Sequence, residues 1–271
     1  RKGSDVTSGT LVARAGEVLT PVKAALLESL GVRSIGVVRL PEVGVLSFGS
    51  ELTDDPDEVA SGKVLNTHAP MVVSMLSRLP CRPRYLGLVP DDVEAARSAI
   101  AESLRRSDVL LTIGGSSVSE LDAVPAVLSE VSEFFVQGLK MQPGRVGGAA
   151  VVDGKPVVVL PALIHSTVNV LNELGLPVLA HIASARLEEF YAMTVAALSE
   201  PVEFHKWVDF VKVVWVSLSD SGGRPSCKPR SSESSVFSSI AFSNGYILVG
   251  PGVERLEAGT EVLVKRPVWI G

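Results

Sequence analysis

The stretch Val109-Leu-Leu-Thr-Ile113, followed by Gly114-Gly-Ser-Ser117, decides the fold of this 271-residue chain. An unbroken run of apolar and β-branched residues predicts a strand that is buried on both faces. The paired glycines then permit a tight turn, and the residues from about 119 to 131 have the pattern of a helix. A buried strand, a glycine turn and a helix together form one unit of a parallel α/β sheet.

The same alternation of strand and helix extends from about residue 41 to residue 186. Two further buried strands are predicted to end at Phe48 and Val89, and Asp91 is the predicted N-cap of the helix that follows the second. The other predicted elements are a helix over 68–79, a β-hairpin turning at Asp153-Gly154 and a helix over 166–197. This pattern predicts a three-layer α/β domain with a mostly parallel sheet.

The two ends of the chain have different patterns. Residues 1–40 contain short β-like pieces and one helix, which starts at Thr20-Pro21 and stops at Gly31. Because the chain does not start with Met, we expect this part to be the remnant of an N-terminal or linker domain. From about residue 200 short β-branched runs alternate with turns, which predicts a small, all-β, barrel-like domain over 187–271 after the α/β domain of 41–186.

Composition limits the classes of partner. Apolar residues make up 46% of the chain, charged residues 20%, and the net charge is −5, as in ordinary globular proteins. The absence of a basic stripe and the low aromatic content argue against nucleic acid. No apolar run reaches the roughly 20 residues of a transmembrane helix. Cys81 and Cys227 are too far apart in sequence to suggest a metal pair, so a reducing, cytoplasmic location is expected.

Chemistry is expected where predicted strands end, because open α/β sheets bind ligands at the carboxyl ends of their strands. Gly114, Gly115, Ser116 and Ser117 form a turn that could hold a phosphate through backbone N–H groups and hydroxyls. The alternative is a simple strand-to-helix turn with serine capping.

Carboxylates follow the neighbouring predicted strands. Glu51 comes after the strand that ends at Phe48, Asp91 follows the next strand, and Asp122 lies near the start of the helix after the glycine turn. Taken singly, Glu51 could be a solvated surface residue and Asp91 a helix cap. Together they would surround one anion site, where a bridging cation is needed to offset their repulsion of a phosphate. We therefore predict Mg²⁺ bound by Glu51 and Asp122.

Histidine and tryptophan do not suggest a cofactor site. His68, His165, His181 and His205 lack the spacing of a metal-binding motif. The two tryptophans on probable strands, Trp207 and Trp215, are more typical of a core or an interface.

Motifs in the same order along nearly the whole chain resemble the MoeA/gephyrin family of molybdopterin molybdenumtransferases. The matching stretches are Gly3-Ser-Asp5, Ala15-Gly-Glu-Val-Leu-Thr-Pro21, Pro41-Glu-Val-Gly-Val-Leu-Ser-Phe-Gly-Ser-Glu-Leu52, Gly62-Lys-Val-Leu-Asn66, Ile113-Gly-Gly-Ser-Ser-Val-Ser-Glu-Leu-Asp122, Met141-Gln-Pro-Gly-Arg145, Leu160-Pro161, Ser234–Gly245 and Leu256-Glu-Ala-Gly259.

The resemblance implies a transferase that hydrolyses adenylylated molybdopterin and inserts molybdenum (or tungsten) from molybdate, with a divalent cation such as Mg²⁺. It also implies a homodimer, a pterin phosphate or nucleotide ligand, and possible partner proteins of cofactor assembly. By position, the acidic active-site residues are Asp5, Glu51, Asp91 and Asp122. The residues that bind the pterin phosphate are Gly114, Gly115, Ser116, Ser117, Arg145, Pro161 and Ser234.

Several positions depart from the family pattern. Ser50 replaces an aspartate and Gln142 a lysine, although Arg145 and Lys140 keep positive charge nearby. Pro161-Ala-Leu-Ile164 replaces Pro-Gly-Asn-Pro, so an apolar segment stands in place of a polar turn. Two alternatives to an active enzyme follow: a catalytically impaired paralogue that still binds molybdopterin or nucleotide phosphate, and an interaction module.

Overall fold

The computed structural model describes residues 3–115, 122–219 and 223–270. Its helices are α1 Pro21–Ser29, α2 His68–Leu76, α3 Val93–Arg106, α4 Ala123–Val131, α5 Ile164–Val170, α6 Leu176–Ile182 and α7 Phe237–Ala241. Its strands are β1 Glu42–Phe48, β2 Leu52–Thr53, β3 Val64–Leu65, β4 Arg82–Val89, β5 Val109–Ile113, β6 Phe134–Gln137, β7 Met141–Gln142, β8 Gly148–Val152, β9 Lys155–Leu160, β10 Tyr191–Leu198, β11 Val202–Glu203, β12 Val211–Ser219, β13 Ser226–Pro229, β14 Gly245–Val249, β15 Arg255–Leu256 and β16 Glu261–Pro267.

The first large sheet is mixed, with the strand order β4-β1-β5-β9-β8-β6. β4, β1, β5 and β9 are parallel neighbours, whereas β8 and β6 run antiparallel to their neighbours. Alternate residues of β9 enter two different cores: Val158 and Leu160 pack on one face, and Val157 and Val159 on the other. Because both faces are covered, this part of the chain is the predicted three-layer α/β architecture.

The second large sheet closes into a barrel. β13, β10, β16, β14 and β12 follow one another, and β12 also pairs with β13, which closes a ring of five strands. Residues such as Val214, Val216 and Val264 fill its interior. This is the predicted barrel-like β region. β7, which precedes Arg145 in the chain, adds to its edge through parallel pairing with β12.

The barrel and the α/β sheet share one core. Trp215 of β12 and Tyr246 of β14 are fully buried in the same cluster as Val158 and Leu160 of β9. The indole Nε1–H of Trp215 donates to Oδ1 of Asn169 at 2.9 Å. Trp215 is therefore an interface residue, which was one of the two roles expected for it.

Three local predictions were wrong. The predicted helix over 166–197 ends at Ile182, and 191–198 is the strand β10, because pairing with β16 overrides the helix preference of its alanines. The described residues 3–40 contain α1 but no strand. Asp92, not Asp91, caps α3, since its carboxylate accepts from the Ala95 N–H at 2.8 Å.

No helix within the described residues has the length and apolarity needed to cross a membrane.

The turn at Asp153-Gly154 is as predicted. It joins antiparallel β8 and β9, and both turn residues have positive φ, 50° and 69°. Asp-Gly suits this turn because aspartate tolerates the left-handed region and glycine adopts it freely.

Replacing Trp215 tests the shared core. Trp215→Ala should lower the free energy of unfolding by about 3–5 kcal/mol through lost packing. Trp215→Phe should cost about 1–3 kcal/mol, because it leaves the buried Oδ1 of Asn169 without its donor. Urea unfolding followed by circular dichroism measures both, and Phe242→Leu, at a side chain that is 69% exposed, is the control. Equal stability of Trp215→Ala and wild type would contradict the shared core.

Candidate functional site

The candidate site lies where three parallel strands end. The register pairs Ser47 with Ile113 and Ile113 with Leu160, so β1, β5 and β9 finish at the same edge of the sheet. A cavity of about 470 Å³ opens there. Its walls are formed by Phe48, Gly49, Glu51, Asp91, Gly114, Gly115, Asp122, Arg145, Val146, Pro161, Ala162, Leu163 and Ser166. The structure thus brings together carboxylates that are 71 positions apart in sequence, from Glu51 to Asp122.

The two glycines of the β5 turn have different roles. Gly114 has φ of 82°, and its N–H donates to the carbonyl of Leu160 at 3.0 Å, so this amide extends the sheet and is not free for a ligand. A Cβ on Gly114 would collide with the carbonyl oxygen of Phe48. Gly115 has φ of 60° and lies closely over the Phe48 side chain. Ser116 and Ser117 lie outside the described residues.

A reciprocal pair of hydrogen bonds fixes the loops after β1 and β4. The Ser50 N–H donates to Oδ2 of Asp91 at 3.0 Å, and the Asp91 N–H donates to Oγ of Ser50, also at 3.0 Å. Nζ of Lys63 donates to the Ser50 carbonyl at 2.7 Å. Asp91 and Ser50 therefore connect the two loops beside the cavity, and the Ser50 hydroxyl accepts one of the two hydrogen bonds that do so.

Glu51, after β1, and Asp122, before α4, both line the same cavity. Within residues 3–115, 122–219 and 223–270, no group of three or more His, Cys, Asp or Glu side chains is arranged to hold a metal ion. Two carboxylates suit Mg²⁺ only where substrate phosphates and water complete its ligands, which is its usual mode in phosphate sites. The donor set thus fits a cation shared with a phosphorylated ligand and does not fit a closed protein site.

The other predicted residues divide between the cavity and places outside it. Arg145 and Pro161 line it, whereas Asp5 is exposed in the N-terminal segment and is not among the wall residues. Ser234 is half-buried, and its carbonyl accepts from the His165 N–H at 3.2 Å near the start of α5. Lys140 lies with Nζ 3.7 Å from Oδ2 of Asp209, away from the cavity walls.

Apolar side chains form one wall. Leu163 is the residue before α5, is 52% exposed and makes no side-chain cap, while Ile164 is buried in the core. Ala162 and Leu163 therefore face the site, and Ile164 supports it from below. The substitution of an apolar segment for a polar turn, noted in the sequence, changes the lining of the cavity itself.

His165 is buried beside this wall and has a structural environment. Its Nε2–H faces the carbonyl of Val236 at 3.1 Å and Oγ of Ser239 at 2.6 Å. Because a carbonyl can only accept, this nitrogen carries the proton in the neutral ring. Burial lowers the pKa of His165 below its ordinary value, so the neutral form is favoured.

Comparison with known proteins identifies the family. Residues 44–181, half of the chain, match the family described as "Probable molybdopterin binding domain", and residues 198–266 match "MoeA C-terminal region (domain IV)". The chain belongs to the MoeA family. The first range contains the cavity walls and nearly all of the α/β sheet. The second contains β12, β13, β14 and nearly all of β16, but only the last residue of the barrel strand β10.

Relatives within the MoeA family match more than half of this chain but less than two thirds of their own length. A molybdopterin molybdenumtransferase of Staphylococcus aureus is 27% identical over 263 residues, which are 96% of this chain and 62% of that protein. One of Bacillus subtilis is 33% identical over 147 residues, covering 54% and 34%. The crystal structure of a molybdopterin biosynthesis MoeA protein from Pyrococcus horikoshii superposes with a TM-score of 0.81 at 25% identity, covering 97% and 63%. The chain thus spans less than two thirds of these relatives.

Sequence reasoning did not single out two residues with polar or aromatic contacts at the site, one in the cavity wall and one beside it. Ser166 lines the cavity, and Trp207 lies against Arg145, with the guanidinium carbon 5.2 Å from the centre of the indole ring. Ser166 follows the Pro161 loop by one helical turn, which could have suggested it. No local signal marks Trp207, because it is not itself in the cavity wall and contacts Arg145 from a loop before β12.

Gly114 gives a test of the turn with a matched control. Gly114→Ala combines a positive φ with a backbone collision and should destabilise the protein by more than about 2 kcal/mol. Gly138→Ala also has a positive φ, of 95°, but meets open space, so it should cost only about 1–2 kcal/mol. Chemical denaturation of both variants measures the difference. Equal losses would show that Gly114 is not tightly packed against Phe48.

Proposed function

We propose that this chain acts in molybdenum cofactor biosynthesis, hydrolysing adenylylated molybdopterin and inserting molybdenum (or tungsten) into its dithiolene. The observation that carries the proposal is the single cavity shared by Glu51, Asp91, Asp122, Gly115 and Arg145 at the carboxyl ends of parallel strands. Membership of the MoeA family supports it. By the same family resemblance, the proposal includes a homodimer in the cytoplasm that meets other proteins of cofactor assembly.

The residues that line the cavity have different roles in the proposed hydrolysis. Water attacks the phosphoanhydride, the P–O bond breaks, and AMP leaves as negative charge grows on the phosphoryl oxygens. Arg145 donates to these oxygens with a charge that cannot be lost, and the Gly115 N–H can add a backbone donor. Glu51 and Asp122 would hold Mg²⁺, which when bound neutralises the developing charge.

The remaining wall residues shape the site. Asp91 holds the loops after β1 and β4 together through its hydrogen bonds with Ser50. Because Glu51 follows Ser50, these bonds also fix the backbone position of Glu51. Phe48, Ala162 and Leu163 provide apolar surface against which the flat pterin can pack and from which water is excluded. Molybdate, as the second substrate, is an oxyanion with the same need for cationic and N–H donors.

A second candidate is a binding paralogue that has lost metal insertion. It is favoured by Ala162 and the half-exposed Leu163, because apolar side chains at this wall give molybdate no hydrogen-bond donors. Such a protein would bind AMP or molybdopterin without turnover.

A third candidate is an interaction module. It is favoured by apolar side chains exposed in the N-terminal segment, including Val22 at 79% and Val37 at 71%. These residues are outside the walls of the 470 Å³ cavity. A docking role would therefore leave the cavity chemistry unaffected.

Carboxylate variants test the proposed enzyme. Glu51→Gln and Asp122→Asn keep the size of each side chain but remove its charge, and should each reduce the release of AMP from adenylylated molybdopterin by at least about 100-fold. The assay contains Mg²⁺ and molybdate, and separates AMP and metal-containing cofactor by chromatography. The reduction should be partly relieved by raising the Mg²⁺ concentration, because the lost groups are proposed to hold it.

Glu94→Gln is the control, because its side chain is 80% exposed on α3 and outside the cavity. It should retain wild-type turnover. If wild-type protein binds AMP in calorimetry but releases no AMP above background, the enzyme hypothesis is rejected in favour of the binding paralogue. Absence of both turnover and binding would refute both functions.

A further inference from the structure

Arg145 is held by an aromatic ring from the barrel and not by an acid. Its guanidinium carbon lies 5.2 Å from the centre of the Trp207 ring, within the range of a cation–π contact. In the part of the chain that the structure describes, its side chain makes no hydrogen bond or ion pair, although three carboxylates line the same cavity. Its in-plane N–H donors therefore remain free for a ligand.

Trp207 is fixed in an unusual conformation. Its φ of 57° lies in the left-handed region, which bulky side chains seldom adopt. Its carbonyl accepts from the Phe210 N–H at 2.9 Å, and its indole packs against the Phe210 ring with centroids 5.2 Å apart. The next residue is also held, because the Val208 carbonyl accepts from the Gly252 N–H at 2.6 Å. Backbone held against its preference in this way is typical of functional positions.

Lys212 binds the backbone of the loop that carries Trp207. The residue is only 4% exposed, and its Nζ donates to the carbonyls of Lys206, at 2.7 Å, and of Trp207. Burial lowers the pKa of the Lys212 ammonium, an effect opposed by nearby Asp209. A buried ammonium needs such acceptors, so the loop carbonyls and Lys212 stabilise each other's positions.

Arg145 and Trp207 are also connected through one pair of strands. β7 pairs with β12, with Gln142 opposite Lys212, and Arg145 follows three residues after Gln142. Trp207 precedes β12 and is bonded to Lys212 within it. Both residues are therefore attached to the paired strands β7 and β12. This limits how far the side chains of Arg145 and Trp207 can move apart.

The ring attracts the charge of the Arg145 guanidinium and accepts no hydrogen bond from it, so the N–H donors along the guanidinium edge are unpaired among the described residues. The edge carries paired N–H donors that match two oxygens of a phosphate. The contact with the ring already restricts the arginine to a few rotamers, so less side-chain entropy is lost when a ligand binds. Because it loses less conformational entropy, an arginine held by such a contact binds a phosphate more tightly than a mobile one.

We propose that Trp207 is a positioning residue that presents the edge of Arg145 to a phosphate group of the ligand. The barrel region thereby contributes to a site whose walls all come from the α/β region. This inference rests on the proposed function, since it takes the cavity to receive a phosphorylated substrate. It assigns the phosphate, and not the pterin, to the Arg145 side of the cavity.

AMP binding by calorimetry tests the stack in the full chain. Arg145→Gln should weaken AMP binding by about tenfold or more. Trp207→Leu should weaken it by about three- to tenfold, and Trp207→Phe, which keeps an aromatic face, by less than about twofold. In the Arg145→Gln background, Trp207→Leu should have no further effect, because the group that it positions is gone. Arg105→Gln, an equal change of charge at a side chain that is 68% exposed on α3, should bind as wild type.

Tryptophan fluorescence provides a readout that a loss of stability would not reproduce. Trp207 is 45% exposed, whereas Trp215 is fully buried and Trp269 packs against Trp215 with ring centroids 6.0 Å apart. AMP should therefore change the emission of wild type and not that of Trp207→Phe or Arg145→Gln. Unfolding midpoints of all variants are measured alongside. Equal weakening by Trp207→Leu with and without Arg145 would overturn the inference.

The outcomes separate this inference from the proposed function. Wild-type turnover together with unchanged AMP affinity in Trp207→Leu overturns the positioning role and leaves the enzyme intact. Coupled loss of AMP affinity in a protein without turnover supports the positioning role and contradicts the enzyme. A wild-type protein that does not bind AMP overturns the inference.

Discussion

The parallel register of β1, β5 and β9 is the constraint on which the site depends. Ser47 lies opposite Ile113, and Ile113 opposite Leu160, so three strands end level with one another. Backbone hydrogen bonds continue this order beyond the strands, since the Gly114 N–H still donates to Leu160 and the Gly49 N–H to Val89. A shift of register by one residue would move each strand's side chains to the opposite face and separate the loops.

The barrel is part of this arrangement and not only an appendage. Trp215 shares the core of the α/β sheet and bonds to Asn169, whose amide in turn donates to the Pro143 carbonyl at 3.0 Å. Ser234 accepts the His165 N–H at the start of α5. Pro143 and His165 are close in sequence to the wall residues Arg145 and Ser166, so movement of the barrel would alter the cavity at both places.

The departures from the family pattern can now be given a physical meaning. The Ser50 hydroxyl accepts from the Asp91 N–H as a neutral group, whereas the aspartate of the family pattern would add a second negative charge beside the Asp91 carboxylate. Arg145 supplies positive charge near the position where Gln142 has none, and Trp207 holds it there. Leu163 has no such compensation among its described contacts, and it makes the wall next to Pro161 apolar.

The sequence alone determined the local elements whose preferences agree with their surroundings. Ile113-Gly-Gly115, the Asp153-Gly154 turn and the buried strands were predictable because side-chain pattern and backbone freedom act within a few residues. Asp91 was assigned as a helix cap, but Asp92 takes that role and Asp91 bonds to Ser50, 41 positions away. The strand 191–198 was predicted as helix because its partner β16 is distant in sequence. Only the tertiary structure could place Trp207 on Arg145, since that contact joins two loops through β12, and no short-range preference encodes it.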